Sequence, residues 1–386
     1  MPYYRQAGAI PRKRHSRFVN PSGGLYAEEL MGQQGFASSS SLLYHLHAPT
    51  ALVAAASVPA PDVCLVDNQP LLPRHLATHA LAGSTDLVTG RQLLLGNGDV
   101  RILYASVDGL AEPSGLYRDA VGDELVYVEA GSVEIESAFG ALRLGPGDYA
   151  VIPMSTTHRF VPDGPVRVLI VEASSHIGPP RRYLSADGQF LEHAPYSERD
   201  IRGPAEAPPI DEGETDVVVR HRGGVTRYTY AHHPFDVVGW DGCVYPFAFS
   251  IHDFEPIVKR FHAPPPVHQT FEGSNFVVCS FCPRPFDFDA EAIPVPYNHA
   301  NVDSDEVLFY AGGDFMSRRG AGIGPGSITL HPAGFVHGPQ PGSVEAAAGH
   351  AGTDELAVMI DTFRPLRIAP AATAVEDREY AWTWGS

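Results

Sequence analysis

The sequence predicts an all-β protein built from two small barrels of the jelly-roll type, with an N-terminal arm and few short helices. The composition supports this fold class, because 38 Gly and 35 Pro are scattered between short runs of Val, Ile, Phe and Tyr. That pattern is typical of many strands joined by tight turns. A spacing of Glu, Gly, Pro and His also occurs twice along the chain. The sequence shows no long amphipathic helical pattern, so strands are expected to build the cores.

The second copy of the repeated pattern places two His and one Glu where a small barrel can bring them together. His299 is followed by six residues and then Glu306, and a turn rich in Gly and Pro leads on to His337. Neighbouring hairpins of a jelly roll point alternate side chains inward, so these residues are expected to meet inside the barrel. Two imidazoles and one carboxylate form the facial triad of non-haem Fe(II) sites, which leaves coordination positions open. We therefore predict an Fe(II) centre held by His299, Glu306 and His337.

This spacing closely resembles the two-part motif of the cupin superfamily, and its repetition implies a bicupin architecture. In the usual motif a second His stands two residues after the first, a position that Asn301 occupies here. The first copy keeps Glu124 and His158 but has Tyr117 and Arg118 where its first His would stand. One His and one Glu rarely hold a catalytic metal, so we expect a structural barrel without metal. A hydrogen bond between Glu124 and His158 is its expected internal contact.

Two further stretches narrow the resemblance to one family. GGLYAEELMGQQGF begins at Gly23, and HPFDVVGWDG begins at His233. Both are similar to segments of the homogentisate 1,2-dioxygenases. The resemblance implies an oxidoreductase that uses Fe(II) and O₂ to open the ring of a small aromatic substrate, homogentisate, in tyrosine and phenylalanine catabolism. It also implies a homo-oligomer, either a trimer or a hexamer.

The family carries an acid/base His just before a strand of the catalytic domain. His268 matches it best, because HQTFEGSNFVV leads into a strand as the family's sequence does. The register differs by about two residues, so His262 remains an alternative. A His near the metal is suited to take a phenolic proton around neutral pH. The other interpretation of His268 is a surface position beside a run of Pro.

Four more residues match positions near the family's substrate or metal. Tyr297 is expected near the substrate and Asn301 near the metal. His331 stands six residues before His337 and shares its strand parity, so it is expected to contact the substrate or support a ligand. Phe315 stands where the family usually has Tyr, which removes a hydroxyl donor. A site without that donor can prefer a different ring substituent.

The replacement of the family's Tyr by Phe315, and the triad itself, leave alternative functions open. The substrate could be another hydroquinone or dihydroxyphenyl acid. A metal-dependent bicupin isomerase or a binding protein would share the triad but would need no O₂.

Charge and composition further limit the possible classes of function. The formal net charge of -18 opposes binding to nucleic acid and to anionic membranes, since both need clustered Lys and Arg. The N-terminus has no apolar run of signal-peptide length, and no apolar stretch can span a bilayer, so a cytoplasmic location is expected. Cys279 and Cys282 form a CxxC in a strand-like run and are expected to be buried strand cysteines. After Arg367 the tail shows no readable chemistry.

Four segments are expected along the chain. These are an N-terminal arm and strands over residues 1–60, a structural barrel over 61–175, connecting strands and a long loop over 176–245, and a catalytic barrel with a tail over 246–386. The basic stretch Met1–Phe18 is expected to be a solvated tail or an arm that packs on another subunit.

Overall fold

The computed structural model describes residues 3–59, 64–109, 112–258, 268–287, 289, 291–318 and 320–385, and strands dominate them. In chain order the strands are β1 Arg5–Gly8, β2 Ala27–Gly32, β3 Ser40–His45, β4 Leu52–Val58, β5 Val66–Asp67, β6 Arg74–Ala77, β7 Gln92–Gly96, β8 Val100–Val107, β9 Leu116–Asp119, β10 Glu124–Ala130, β11 Val133–Ser137, β12 Gly140–Leu144, β13 Asp148–Ile152, β14 His158–Pro162, β15 Val166–Ala173, β16 Ile201–Arg202, β17 Thr215–His221, β18 Gly224–Tyr230, β19 Val237–Gly242, β20 Phe247–Ser250, β21 Gln269–Gly273, β22 Phe276–Phe281, β23 Arg284–Pro285, β24 Asp305–Gly312, β25 Ser327–His331, β26 Gly352–Thr353, β27 Leu356–Thr362 and β28 Arg367–Ile368.

The helices of the described residues are all short. The α-helices are α1 Ser343–Ala347 and α2 Pro370–Ala374, and 3-10 helices cover Gln34–Phe36, Thr78–Ala80, Arg181–Tyr183, Glu198–Asp200, Ile251–Asp253, Met316–Arg318 and Tyr380–Gly385. Within the described ranges, no helix has the length and apolar character needed to cross a membrane. The predicted all-β fold with two jelly-roll barrels and few short helices is confirmed.

The first barrel pairs a nine-stranded sheet with a seven-stranded one. The strand orders are β16-β20-β13-β10-β15-β8-β7-β28-β5 and β12-β11-β14-β9-β17-β18-β4. In β11 the residues Val133 and Ile135 are buried while Glu134 and Glu136 are half-exposed, the alternation of a strand with one face in a core. Ile135 and Val168, one from each sheet, belong to the same buried cluster. This apolar filling makes the first barrel a packed core.

The second barrel is built on the six-stranded sheet β21-β22-β27-β24-β25-β6. Its strand β24, DEVLFYAG, is buried on both faces over its first six residues. One face packs on the first barrel, since the ring of Phe309 lies 6.2 Å from that of Tyr104 and 6.1 Å from that of Tyr127. The alternate residues of β24, which include Glu306 and Tyr310, therefore face the interior of the second barrel.

Strands from one part of the chain complete sheets built by another. Strand β6 pairs with β25 of the second barrel, while β28 pairs with β7 and β20 with β13 of the first. The N-terminal arm forms a further sheet, β1-β19-β3-β2, and its Arg14 makes an ion pair with Asp241 at 3.0 Å. Strand β1 and Arg14 thus pack on their own chain, whereas Arg12, Lys13 and Arg17 are exposed to solvent. Contact of the basic stretch with another subunit stays a prediction. The four-segment division of the chain stays a prediction.

The two cysteines of the CxxC have the environment of packing residues. All four are free, and Cys279 of β22 and Cys282 just after it are buried. Burial raises the pKa of both thiols. The expectation of buried strand cysteines is confirmed.

Candidate metal centre

The metal-ligand candidates meet at one end of the second barrel. Glu306 is the second residue of β24. His299 and His337 lie on two loops joined by an antiparallel bridge, in which each N–H donates to the other residue's carbonyl, at 2.7 and 2.8 Å. Gly334 turns the second loop with a φ of 78°, which Gly adopts without a steric penalty, and its N–H donates to the carbonyl of Asn301 at 2.8 Å. The bridge and the turn place both imidazoles beside Glu306.

The three side chains present their ligand atoms to a common point. One ligand atom from each of His299, Glu306 and His337 lies within 4.8 Å of the others. The Nδ1 atom of His299 lies 2.9 Å from the carbonyl oxygen of Tyr297, and Nδ1 of His337 lies 3.1 Å from that of Phe335. A carbonyl only accepts, so each Nδ1 carries the hydrogen and each Nε2 keeps its lone pair. Both imidazoles are therefore set in the tautomer that binds a metal through Nε2.

One buried atom tests whether a cation fits between these groups. Nε2 of His337 is buried and has no hydrogen-bond partner among the described residues. It lies 3.3 Å from Oε1 of Glu306, but a neutral imidazole that carries its hydrogen on Nδ1 cannot donate from Nε2. Two acceptors in contact in a buried site are costly unless a cation lies between them. The donor set therefore fits a divalent metal ion.

The charge of the site favours the same conclusion. Burial alone would raise the pKa of Glu306, but the nearby imidazoles of His299, His331 and His337 outweigh burial and hold the pKa well below its usual range. His331 contacts Glu306 with Nδ1 at 2.9 Å from Oε1. Burial lowers the pKa of His331 to about 3, so this imidazole is neutral. An ionised carboxylate held by the neutral imidazole of His331 is a suitable environment for a dication.

Two ionisable groups near the triad were not predicted from the sequence. Asp361 of β27 is the cross-strand partner of Glu306, and its Oδ1 is buried without a hydrogen-bond partner among the described residues. Burial, followed by the charge of Glu306, raises the pKa of Asp361 to about 8. The only sequence signal was a lone Asp in the apolar run LAVMIDTF.

Arg318 is the second such group. Its side chain is buried, donates from Nε to the hydroxyl of Tyr310 at 3.2 Å and donates from Nη1 to the carbonyl of Gly338. No carboxylate of the described residues lies within ion-pair distance of its guanidinium. Arg318 is thus a buried cation close to the loop that carries His337. The carboxylate that balances the charge of Arg318 is the more distant Glu306.

The four other residues predicted near the substrate or the metal differ in how they contact the triad. Tyr297 has an exposed side chain and touches the site through its carbonyl, while Asn301 ties the two ligand loops through its own carbonyl. His331 contacts Glu306 directly. Phe315 is buried, with its ring 4.9 Å from that of Tyr310 in a T-shaped pair, inside a cluster that does not include the triad. Substrate contacts of these residues stay predictions.

His268 lies towards the other end of the barrel. Its ring stacks on that of Phe281, with 4.6 Å between centroids. Across β27, Phe281 is level with Tyr310, which is four residues from Glu306 along β24. At the rise of a strand this separation is about 13 Å. The acid/base role of His268 stays a prediction that this position disfavours, and the alternative, His262, lies outside the described residues.

The first barrel has a different arrangement at the corresponding point. Oε2 of Glu124 lies 2.9 Å from Nη2 of Arg91 and 4.0 Å from Nε2 of His158, so the expected hydrogen bond between Glu124 and His158 is not formed. Arg91 also lies over the rings of Tyr117 and Phe160, at 5.0 and 5.7 Å. A guanidinium inside the barrel supplies the positive charge that Glu124 requires. The sequence could not indicate this partner, because Arg91 lies outside the repeated motif.

Comparisons with known proteins identify the family. The family model for the N-terminal part of homogentisate 1,2-dioxygenase matches residues 4–251. A Saccharolobus solfataricus protein named "Putative dioxygenase" is 37% identical over 386 residues, covering 100% of this chain and 99% of that protein. Homogentisate 1,2-dioxygenase of Emericella nidulans is 27% identical over 287 residues, which are 69% of this chain and 62% of that protein.

A solved structure is similar in part. The cupin 2 conserved barrel domain protein of Leptotrichia buccalis aligns with 78% of this chain and 100% of its own, at 10% identity and a TM-score of 0.33. The match of the family model to most of the chain, together with the full-length relative, shows that the chain belongs to the homogentisate 1,2-dioxygenase family.

Proposed function

We propose that the protein is a non-haem Fe(II)-dependent dioxygenase that cleaves the ring of homogentisate with O₂ to give maleylacetoacetate. The observation that carries the proposal is the convergence of His299, Glu306 and His337 in a chain of this family, where Nε2 of His337 is buried without a hydrogen-bond partner among the described residues. Among divalent metals, a donor set of two imidazoles and one carboxylate with open positions favours Fe(II) in O₂ chemistry.

The residues around the triad support this use of the site. When bound, Fe(II) would supply adjacent open positions for a substrate oxygen and O₂ and a path for electron density between them. Glu306 remains ionised through its contact with His331, and backbone carbonyls hold both ligand imidazoles. These contacts would orient the ligands before metal and substrate arrive, so little reorganisation is needed.

Arg318 supports an acidic substrate. The Arg318 guanidinium is buried and has no carboxylate of the described part of the chain in ion-pair contact, so it can form strong, charge-assisted hydrogen bonds to an incoming carboxylate. A dication plus Arg318 would also leave the site with more positive charge than Glu306 neutralises, which favours an anionic ligand. We therefore propose a dihydroxyphenyl acid as the substrate class, and homogentisate as its member, with Phe315 in contact with the ring.

The test is O₂ uptake by protein loaded with Fe(II) under anaerobic conditions, followed after addition of homogentisate, gentisate, 3,4-dihydroxyphenylacetate or unsubstituted hydroquinone. We expect uptake only after a 2,5-dihydroxyphenyl acid is added, and fastest with homogentisate. Uptake with a different member of the panel would change the substrate but keep the reaction. No uptake with any of them would favour the alternative class, a metal-dependent isomerase or a binding protein.

We also propose that the chain forms a homo-oligomer, a trimer or a hexamer, by analogy with its family. Light scattering after size-exclusion chromatography would test this, and a monomer at micromolar concentration would contradict it.

A further inference from the structure

We infer that the C-terminal 3-10 helix, Tyr380–Gly385, positions two of the three metal-ligand candidates. One route runs from this helix to Glu306, and the other reaches the loop of His337. The inference rests on the proposed metal-binding function of the triad. It goes beyond that function because it assigns a role to a tail in which the sequence shows no readable chemistry.

The first route is a chain of two hydrogen bonds. Nδ1 of His331 lies 2.9 Å from Oε1 of Glu306, and Nε2 of His331 lies 2.9 Å from the hydroxyl of Tyr380. An ionised carboxylate only accepts, so Nδ1 of His331 must carry the hydrogen and Nε2 must accept from the Tyr380 hydroxyl. Tyr380 thereby selects the tautomer of His331, and His331 in turn holds one oxygen of Glu306. The Glu306 carboxylate is thereby held in one orientation towards the two ligand imidazoles.

The second route acts on the backbone next to His337. The indole Nε1–H of Trp384 donates to the carbonyl of Gly338 at 3.0 Å. Two residues further along the loop, the side-chain amide of Gln340 donates to the hydroxyl of Thr383 at 2.9 Å. Both contacts fix the loop that begins at His337. This loop must keep the His337 imidazole directed at Glu306.

Both routes leave from the same face of the helix. Tyr380 is fully buried, and its ring lies 5.1 Å from that of Trp384. Trp384 in turn lies 6.3 Å from the ring of His331, so the two routes are packed together. Trp382, on the opposite face of the same helix, is 60% exposed. The helix therefore offers a matched pair of aromatic residues, one that contacts the metal-centre residues and one that faces solvent.

The test is the binding of Co(II) to the full-length apoprotein, measured by chelator competition and by the visible absorption spectrum of the bound ion. In Tyr380→Phe the ring remains and only the hydroxyl is lost. We expect its affinity for Co(II) to fall by about 10- to 100-fold, which is the usual effect of removing a partner that orients a metal ligand. The absorption band should also shift, because Glu306 is no longer held in one orientation. Trp382→Ala should bind Co(II) like the wild type.

Two further measurements separate the possible failures. If the wild type binds Co(II) and Glu306→Ala does not, but Tyr380→Phe matches the wild type in affinity and spectrum, this inference is overturned while the metal centre stands. If the wild type binds no Co(II), the proposed function itself fails. If Tyr380→Phe proves unstable in thermal unfolding of the apoprotein, Trp384→Phe decides by the same criteria, since it removes only the second route.

Discussion

Glu306 is the residue on which the metal centre depends, since it is the one carboxylate among the three ligand candidates and remains ionised although buried. Neighbouring imidazoles stabilise the ionised carboxylate. His331 contacts one of its oxygens, and the imidazoles of His299 and His337 lie 3.7 and 3.3 Å from it. Loss of this side chain would leave two imidazoles with no charge to attract a dication.

Replacing Glu306 with Ala should therefore abolish iron binding and ring cleavage together. Metal analysis after anaerobic loading should give one iron per wild-type chain and none in Glu306→Ala. His158→Ala in the first barrel is the control and should keep one iron per chain. Full iron occupancy in Glu306→Ala would remove Glu306 from the ligand set, and a second iron lost in His158→Ala would show that the first barrel binds metal.

Arg318→Gln should act on the acidic side chain of the substrate more than on the ring. A charge-assisted hydrogen bond contributes roughly 1.5–3 kcal/mol, so kcat/KM for homogentisate should fall by about 10- to 100-fold. The methyl ester of homogentisate has the same ring but no charge, and its kcat/KM should change little. Equal losses for acid and ester would show that Arg318 only supports the loop at Gly338.

The two candidate acid/base residues are separated by a pair of Ala variants. His268 stacks on Phe281 at a level about 13 Å from Glu306 along the strands, so His268→Ala should retain most of its turnover. A loss of about 10² to 10⁴-fold in kcat with iron retained, the usual contribution of a general acid/base, would identify the residue that handles the phenolic proton. Such a loss in single turnovers of His268→Ala, with His262→Ala unchanged, would support the acid/base role of His268, and the reverse result would assign that role to His262.

The two copies of the motif use the same strand arrangement in two ways, one for a structural ion pair and one for the candidate metal centre. Strand β10 begins with Glu124 as β24 carries Glu306 near its start. In the first barrel Arg91, which begins the segment leading into β7, is paired with that carboxylate. In the second barrel His331 and two ligand loops surround it. The first copy therefore pairs its carboxylate with an Arg, whereas among the described residues only His side chains lie within ion-pair distance of Glu306.

Replacing Arg91 with Met should strongly destabilise the first barrel, because Glu124 would remain buried without its Arg partner, while Glu172 would keep only Arg101 and Arg220. Removing one partner of a buried ion pair costs about 3–5 kcal/mol. Urea unfolding of the apoprotein would measure the loss, with Arg143→Met as the control because Arg143 pairs with Asp163 on the surface. A free energy of unfolding within 1 kcal/mol of the wild type, an order-of-magnitude bound for surface changes, would contradict the structural role of Arg91.

The same elements show what the sequence could and could not predict. The convergence of His299, Glu306 and His337 was predictable, because their spacing within one motif reflects the strand and turn lengths of a jelly roll. Tyr380 and Arg318 were not predictable, because their contacts depend on how distant segments pack. Parity of residues along a strand is a local property, whereas the pairing of a tail with a barrel end is not.

At the scale of the whole molecule, the barrels share one core and exchange strands. Phe309 of the second barrel packs on Tyr104 and Tyr127 of the first, and β6 joins the sheet that holds Glu306. Two barrels were evident from the repeated spacing, but the exchange of β6 and β28 was not, since nothing in a short strand specifies a partner far along the chain. Because of this exchange, the first barrel supports the sheet of the second barrel. It does so although its own motif carboxylate, Glu124, is paired with Arg91.

We propose that the protein inserts both atoms of O₂ into a dihydroxyphenyl acid at the triad. Mass spectrometry of the product formed from homogentisate under ¹⁸O₂ by Fe(II)-loaded wild-type protein tests this proposal, with Glu306→Ala as the control. We expect maleylacetoacetate that carries two ¹⁸O atoms before exchange with water, one O₂ consumed per substrate, and no product from Glu306→Ala. A product with one or no labelled oxygen, or no reaction by fully iron-loaded wild-type protein, would contradict it.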